Sequence, residues 1–253
     1  MSTYTPVEEV VRFRDARSEG AIVFDPTALP QTPLPAWFDA AHWGDAAQAV
    51  GSGGRGAAWF VDAPWDAMVL RRYLRGGLAA RFSRDRYVWQ GEAAVRSFAE
   101  FRVLQAMHAM GLPVPRPLAA AYWREGRRYR AAILLARIVD VHSFGHRVLD
   151  DAASAPWAES GALIARFHRA GLDHPDLNAH NLLFDDAGNG WMIDFDKASL
   201  RPAQARGWRR ENLARLRRSL DKLTSGEMPA RIDEGFARLL AAYDGEWQKG
   251  AMR

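Results

Sequence analysis

Residues 172–200 read LDHPDLNAHNLLFDDAGNGWMIDFDKASL. Two short apolar runs, NLLF and GWMIDF, flank DDAGNG, whose Asp, Gly and Asn residues favour chain reversal, so the stretch predicts a β-hairpin. Polar residues gather at its open end. His174, Asp176 and Asn181 precede the first run, and Asp194 and Asp196 close the second. A hairpin therefore returns Asp194 toward Asn181. Taken singly, each acid reads as a turn cap and His174 as a packed side chain; taken as an ordered set in strand-turn-strand context, they point to chemistry.

The pattern resembles the catalytic and metal-binding loops of the protein-kinase-like phosphotransferases. Phosphoryl transfer needs cations to neutralise the triphosphate and a carboxylate to receive or orient the acceptor hydroxyl. Magnesium, a hard cation, prefers the oxygen donors that an Asp carboxylate and an Asn amide provide. Asp194 and Asn181 are the candidate metal ligands, Asp176 is the candidate base, and Asp176, Asn181 and Asp194 form the candidate catalytic set. The implied cofactors are ATP and Mg2+. His174 is expected to support the loop backbone, and His180 to position the loop.

That resemblance predicts a glycine loop, a strand cation and a helical Glu upstream. GSGGRG (51–56) fits G-x-G-x-x-G through Gly51, Gly53 and Gly56, ahead of a predicted hairpin of Ala57–Asp62 and Asp66–Tyr73 that turns at Pro64. Two-residue alternation puts Arg71 on the face of Val69 and turns Arg72 away. Arg71 stands where kinases usually carry Lys, and the two are not interchangeable. Apolar residues Val95, Phe98, Phe101, Leu104 and Met107 predict a helix over 90–111 that stops at Gly111, with Glu100 facing away from the stripe as the candidate partner of Arg71. Shorter helical stretches are expected over 37–50 and 157–171. A basic one over 208–223 aligns Leu213, Leu216, Leu220 and Leu223. Strands gather early and helices late. The expectation is an α+β, bilobal protein-kinase-like fold. An N-terminal antiparallel β-sheet lobe with one αC-type helix spans 1–137, and a reduced, mainly helical C-terminal lobe spans 138–253.

Composition narrows the classes. The chain has no cysteine, which excludes disulfides and thiol chemistry, and 48% of its residues are hydrophobic, a globular composition. Its beginning, MSTYTPVEEVVRFRD, shows no signal-type apolar core, and no uninterrupted apolar run reaches the roughly 18 residues of a spanning helix. A formal charge of +4 and a pI near 9.7 invite phosphate-bearing partners.

Several departures argue against a protein kinase. Pro175 interrupts the His-Arg-Asp triplet, Asn178 stands where serine/threonine kinases carry Lys, Asp196 replaces the Gly of Asp-Phe-Gly, and no Ala-Pro-Glu follows. The remaining chain is also short for an activation segment and a full helical lobe. The closer resemblance is to 3-deoxy-D-manno-octulosonic acid (Kdo) kinases, within the lipopolysaccharide-core kinase group. It rests on VLRRYLRGGLAARFSRDRYVWQGE (69–92), FRVLQAMHAMGLPVPRPLAA (101–120), HPDLNAHNLLFD (174–185), WMIDFDKA (191–198) and WRRENLARLRRSL.

The resemblance implies transfer of the ATP γ-phosphate to the 4-hydroxyl of Kdo on a lipid A precursor. The setting it implies is peripheral, at the cytoplasmic face of a Gram-negative inner membrane. Arg75, Arg81, Arg84 and Arg86, near Tyr87 and Trp89, read either as a patch for acceptor anions or an anionic membrane surface, or as a solvated loop. Rival readings are a heptose or aminoglycoside-type kinase, a catalytically silent kinase-like scaffold, and a nucleic-acid-binding protein suggested by the pI, the 10 Trp and the basic helix. Nucleic acid is not the expected partner, because the Leu stripe of that helix is suited to packing.

Overall fold

Alternation and turn chemistry build the first half of the computed structural model, which describes residues 7–50, 58–74, 85–205 and 207–251. Its strands are β1 (Glu9–Arg14), β2 (Glu19–Phe24), β3 (Ala47–Ala49), β4 (Ala58–Ala63), β5 (Asp66–Arg72), β6 (Tyr87–Val88), β7 (Pro117–Glu125) and β8 (Arg128–Ala136). They form one antiparallel sheet in the order β1-β2-β7-β8-β5-β4-β3, with β6 beside β8. The Pro64-Trp65 turn sets Ala63 opposite Asp66, and this register places Arg71 between Ala58 and Ile133. Two helices accompany the sheet: α1 (Ala40–Trp43) and α2 (Arg96–Ala109). By packing, the chain divides into two compact units, Met1–Ala106 with Pro115–Arg137, and Met107–Val114 with Ile138–Arg253.

In the first unit Ile22, Phe24, Trp37, Phe38, Met68, Leu70 and Leu134 share one buried cluster. Each large apolar side chain withdrawn from water contributes about 1.5–3 kcal/mol, whereas exposed ion pairs such as Arg14–Glu19 contribute under about 1 kcal/mol, so the core sets the stability. Three tryptophans, Trp37, Trp43 and Trp65, pack on one another within this core region. The predicted 37–50 helix shrinks to α1 because Gly44 takes a positive φ of 53°, after which the chain enters β3. The predicted 90–111 helix begins late, at Arg96, after a 3-10 turn over Glu92–Ala94, and Gly111 ends the segment with φ 69°.

The second unit contains β9 (His142–Ser143), α3 (Phe144–Asp150), α4 (Trp157–Arg169), β10 (Leu172–Asp173), β11 (Leu182–Phe184), β12 (Gly190–Met192), β13 (Ser199–Leu200), α5 (Trp208–Leu223) and α6 (Pro229–Ala251). The helices α4 and α6 approach closely at Gly161, where any Cβ would overlap the backbone oxygen of Leu239. His168 of α4 fastens the helical layer, its Nδ1 lying 2.9 Å from the Tyr243 hydroxyl and its ring edge-on to Trp208. Burial pushes the His168 imidazole down to about 3, so it is neutral. On α5, Trp208, Asn212, Leu216 and Leu220 are buried while Leu213 and Leu223 are partly covered.

Candidate active site

The quoted stretch folds as a clasped loop. At its base β10 pairs antiparallel with β13, Leu172 opposite Leu200 and Asp173 opposite Ser199. Gly171 makes the entry possible: its φ is 84°, its carbonyl accepts the Arg201 N–H at 2.8 Å, and a Cβ would strike the Arg201 carbonyl. Within the clasp β11 and β12 pair with Leu182 opposite Met192 and Phe184 opposite Gly190, and β9 lies on the other side of β11. Asp185 closes the turn by accepting from the Asn189 backbone and side-chain N–H groups, both at 2.8 Å.

At the hairpin's open end the Ile193 N–H donates to the Asn181 carbonyl at 3.0 Å. The second strand ends at Met192, not at Phe195 as its apolar pattern predicts, because Asp194 adopts a positive φ of 65° and breaks the extended run. Non-glycine residues rarely occupy that region, Asp being among the more tolerant, and such backbone strain concentrates at functional loops. The Asp194 side chain is exposed, while Phe195 is buried against Phe167 and His174.

His174 is a support. Its backbone N–H donates to Asn212 Oδ1 at 2.8 Å, and its Nε2 donates to the Ile193 carbonyl at 3.2 Å. Burial lowers its pKa, so the ring is neutral, and the proton on Nε2 leaves Nδ1 unprotonated and without a partner among the described residues. Asn212 also donates to Asp173 Oδ1 at 2.9 Å, while Arg201 Nε meets Asp173 Oδ2 at 2.6 Å. One buried amide on α5 thus ties β10 to the start of the loop. A second tie runs from the Ala179 N–H to Ser219 Oγ at 2.8 Å.

Asp176 is half-exposed. Its backbone carbonyl accepts from Asn178 Nδ2 at 2.9 Å and from Asn181 Nδ2 at 3.2 Å. Because the Asn181 nitrogen is committed to this bond, its amide oxygen is the atom available to a cation. The Asp176 carboxylate accepts from Lys197 Nζ at 2.6 Å, and this hydrogen bond holds it below the usual carboxylate range. The donor set, an amide oxygen and a carboxylate at one end of a hairpin, fits magnesium, which takes few protein ligands and fills its shell with phosphate oxygens and water. Among the described residues no group of at least three His, Cys, Asp or Glu side chains is suited to a metal.

In the first unit Arg71 Nη2 and the Tyr73 hydroxyl both donate to Glu100 Oε2, and the Arg71 guanidinium also lies 5.0 Å over the Tyr73 ring. Arg72, on the opposite face, pairs with Asp39 at 2.8 Å. Glu100 does not face away from the apolar stripe as its position on a simple helical wheel predicts: its side chain is 0% exposed. The buried face of α2 is wide enough to include Ser97, Glu100 and Gln105, each given a partner, Ser97 through the Ala121 carbonyl and Gln105 through that of Val7. Arg86 pairs with Glu125 at 3.0 Å, and Tyr87, grouped with the basic patch from sequence, is buried against Tyr129. Gly51, Gly53, Gly56, Arg75, Arg81 and Arg84 lie outside the described residues.

Three participants escaped the sequence reading: Lys197, Asn212 and Tyr73. Asn212 had a signal, a polar residue at helical spacing with Leu216 and Leu220 on a stripe expected to be buried.

The profile of the lipopolysaccharide kinase (Kdo/WaaP) family matches residues 40–243. The chain is 53% identical over 251 residues, 99% of this chain and 100% of the relative, to a 3-deoxy-D-manno-octulosonic acid kinase of Stenotrophomonas maltophilia (strain K279a). A protein of the same name from Xanthomonas oryzae pv. oryzae (strain PXO99A) is 52% identical over 250 residues, again 99% of this chain and 100% of the relative. Among solved structures the chain is similar to a glucosamine kinase with a TM-score of 0.50 and 14% identity, covering 98% of this chain and 85% of that one. At that identity the likeness concerns the fold alone, an α+β fold of the kinase-like kind.

Proposed function

The chain belongs to the lipopolysaccharide kinase (Kdo/WaaP) family, and we propose that it transfers the γ-phosphate of ATP to the 4-hydroxyl of Kdo carried on a lipid A precursor. One observation carries the assignment of the chemistry to the clasped loop: the Asp176 carbonyl binds the Asn181 amide nitrogen, which leaves the amide oxygen for a cation at the hairpin end where Asp194 also lies.

In the reaction the Kdo hydroxyl oxygen forms a bond to the γ-phosphorus while the bond from that phosphorus to the bridging oxygen breaks, its electron pair leaving on ADP. The hydroxyl proton passes to the Asp176 carboxylate. A carboxylate held at low pKa is a weak base, and that suffices when the transition state is loose and the proton moves late; the main task of Asp176 is then to orient the hydroxyl. Asn181 and Asp194 would hold magnesium, which would supply neutralisation of phosphate charge. Neutral His174 keeps the loop in shape and transfers no proton.

Arg71, oriented by Glu100 and Tyr73, serves the α and β phosphates, and the Gly51, Gly53 and Gly56 loop covers them. We assign that nucleotide-holding role to residues 1–137 and the transfer chemistry to residues 138–253. Arg75, Arg81, Arg84 and Arg86 take the carboxylate and phosphates of the acceptor, as planar guanidinium groups do bidentately. Among the described residues no helix is long and apolar enough to cross a membrane. The acceptor is a lipid, so the enzyme meets it from the cytoplasmic face of the inner membrane, where the excess of basic over acidic residues (34 against 30) favours an anionic surface.

The test is an acceptor comparison with labelled ATP: Kdo-bearing lipid A precursor, the Kdo-free precursor and a heptose-bearing core. Label on the Kdo-bearing lipid alone, mapped to the 4-hydroxyl, is the expected result. Label on the Kdo-free lipid, or on heptose alone, contradicts the acceptor assignment.

A further inference from the structure

The loop HPDLNAHN (174–181) contains no Lys or Arg. A centre that brings Asp176, Asp194 and a triphosphate together nevertheless gathers negative charge, and the metal offsets only part of it. The fold supplies a cation from elsewhere. Lys197 follows directly on Asp194-Phe195-Asp196, and its Nζ lies 2.6 Å from Asp176 Oδ2.

The backbone beneath that ammonium is held on both sides. The Ala198 N–H donates to the Phe195 carbonyl at 2.9 Å, and Ser199 pairs with Asp173 in the two-residue clasp. The clasp that fixes Lys197 therefore also fixes the start of the Asp176 loop. As a stabilising contact the pair has little to offer, because Lys197 is 56% and Asp176 41% exposed, and solvent screens ion pairs this open. An ammonium carries three donors, and Asp176 takes one of them, so the same head group can hold the carboxylate and still donate to a phosphoryl oxygen.

We propose that Lys197 is a catalytic residue of the transfer centre: its ammonium bridges the Asp176 carboxylate and the γ-phosphoryl oxygens, holding base and electrophile in register and offsetting the charge that moves between them. The ammonium keeps its protons throughout; the bonds made and broken are those of the transfer already described, on which this inference rests. Preorganised donors aimed at a reacting oxyanion are worth about 10²–10³ in kcat.

The experiment uses the full chain as wild type, Lys197→Met, Lys197→Arg and Asp176→Asn, with Kdo-bearing lipid precursor as acceptor. It measures kcat, KM, Tm and magnesium-ATP affinity. The expected result for Lys197→Met is a loss of about 100-fold in kcat with magnesium-ATP affinity held within about threefold. Lys197→Arg, which keeps a cationic donor at that place, should recover part of the rate. A role confined to holding the loop would lower Tm, whereas the role proposed here lowers kcat with Tm held. If Lys197→Met keeps kcat within about threefold while Asp176→Asn is inactive, the inference is overturned and the transfer reading stands. If the wild type itself transfers nothing to the Kdo-bearing lipid, both fall together.

Discussion

Replacing Asn212 by Ala tests whether the loop is held from α5. The amide is 2% exposed and satisfies the His174 N–H at 2.8 Å and Asp173 Oδ1 at 2.9 Å. Its removal leaves a buried N–H and one carboxylate oxygen unpaired, at about 1–3 kcal/mol each. Asp173 keeps Arg201, which limits the second loss, so the expected destabilisation is about 3 kcal/mol. For a chain of this size that lowers Tm by about 6–12 °C. A loosened loop misplaces Asp176, and kcat falls about 10- to 100-fold. Magnesium-ATP affinity changes far less. Asn212→Asp sharpens the test: it keeps an acceptor for the His174 N–H but sets a second carboxylate against Asp173. That variant should be at least as unstable as Asn212→Ala near neutrality, because two carboxylates then face each other in a buried place. The assays are thermal denaturation and steady-state transfer kinetics. An Asn212→Ala protein whose Tm falls by less than about 2 °C with kcat unchanged would refute the reasoning.

Glu100→Gln removes the charge that orients Arg71 while keeping its shape, and the KM for ATP is expected to rise about tenfold with a smaller change in kcat; equal KM values would show that the pair does not serve the nucleotide. Asp194→Ala is expected to abolish magnesium-dependent nucleotide binding in calorimetric titrations, and an unchanged titration would remove Asp194 from the metal site. His168 provides a pH signature. Its folded pKa, about 3, lies below the unfolded value near 6.5, so the unfolded chain binds more protons between them. Stability is therefore fully present above the unfolded pKa and falls by about 1.4 kcal/mol per pH unit once pH drops well below it. Thermal melts of His168→Phe, which loses the Tyr243 bond at every pH but removes this titration, should decline less steeply with acid than wild type, and parallel curves would contradict the burial argument.

Local pattern made the hairpin and the two faces of β5 legible. The hairpin of the quoted stretch is written in turn residues and alternation, and strand alternation alone separates Arg71, bound to Glu100, from Arg72, bound to Asp39. What stayed hidden lies across long separations. Asn212 reaches back 38 residues to His174, and only the packing of α5 creates that contact. Lys197 is adjacent to Asp196 and three residues from Asp194, yet its partner is Asp176, a choice made by the clasp and invisible to spacing. Glu100 was misplaced because helical periodicity assumes a narrow apolar stripe, whereas a helix whose buried face is wide encloses polar residues too, provided each finds a partner. The strands β1 and β2 went unread for another reason: short apolar runs such as EGAIVF have no periodicity that separates a strand from a helical turn, and the pairing of β2 with β7 is settled far along the chain.

The central claim is that Asp176 serves phosphoryl transfer to Kdo. Its most direct measurement is the rate of γ-phosphate transfer from ATP to Kdo-bearing lipid A precursor by wild type and Asp176→Asn at matched magnesium-ATP saturation. Transfer by wild type, with a loss of at least about 10³-fold in Asp176→Asn and intact nucleotide binding, is the expected result. Comparable transfer by both proteins, or none by wild type while it binds magnesium-ATP, would contradict it.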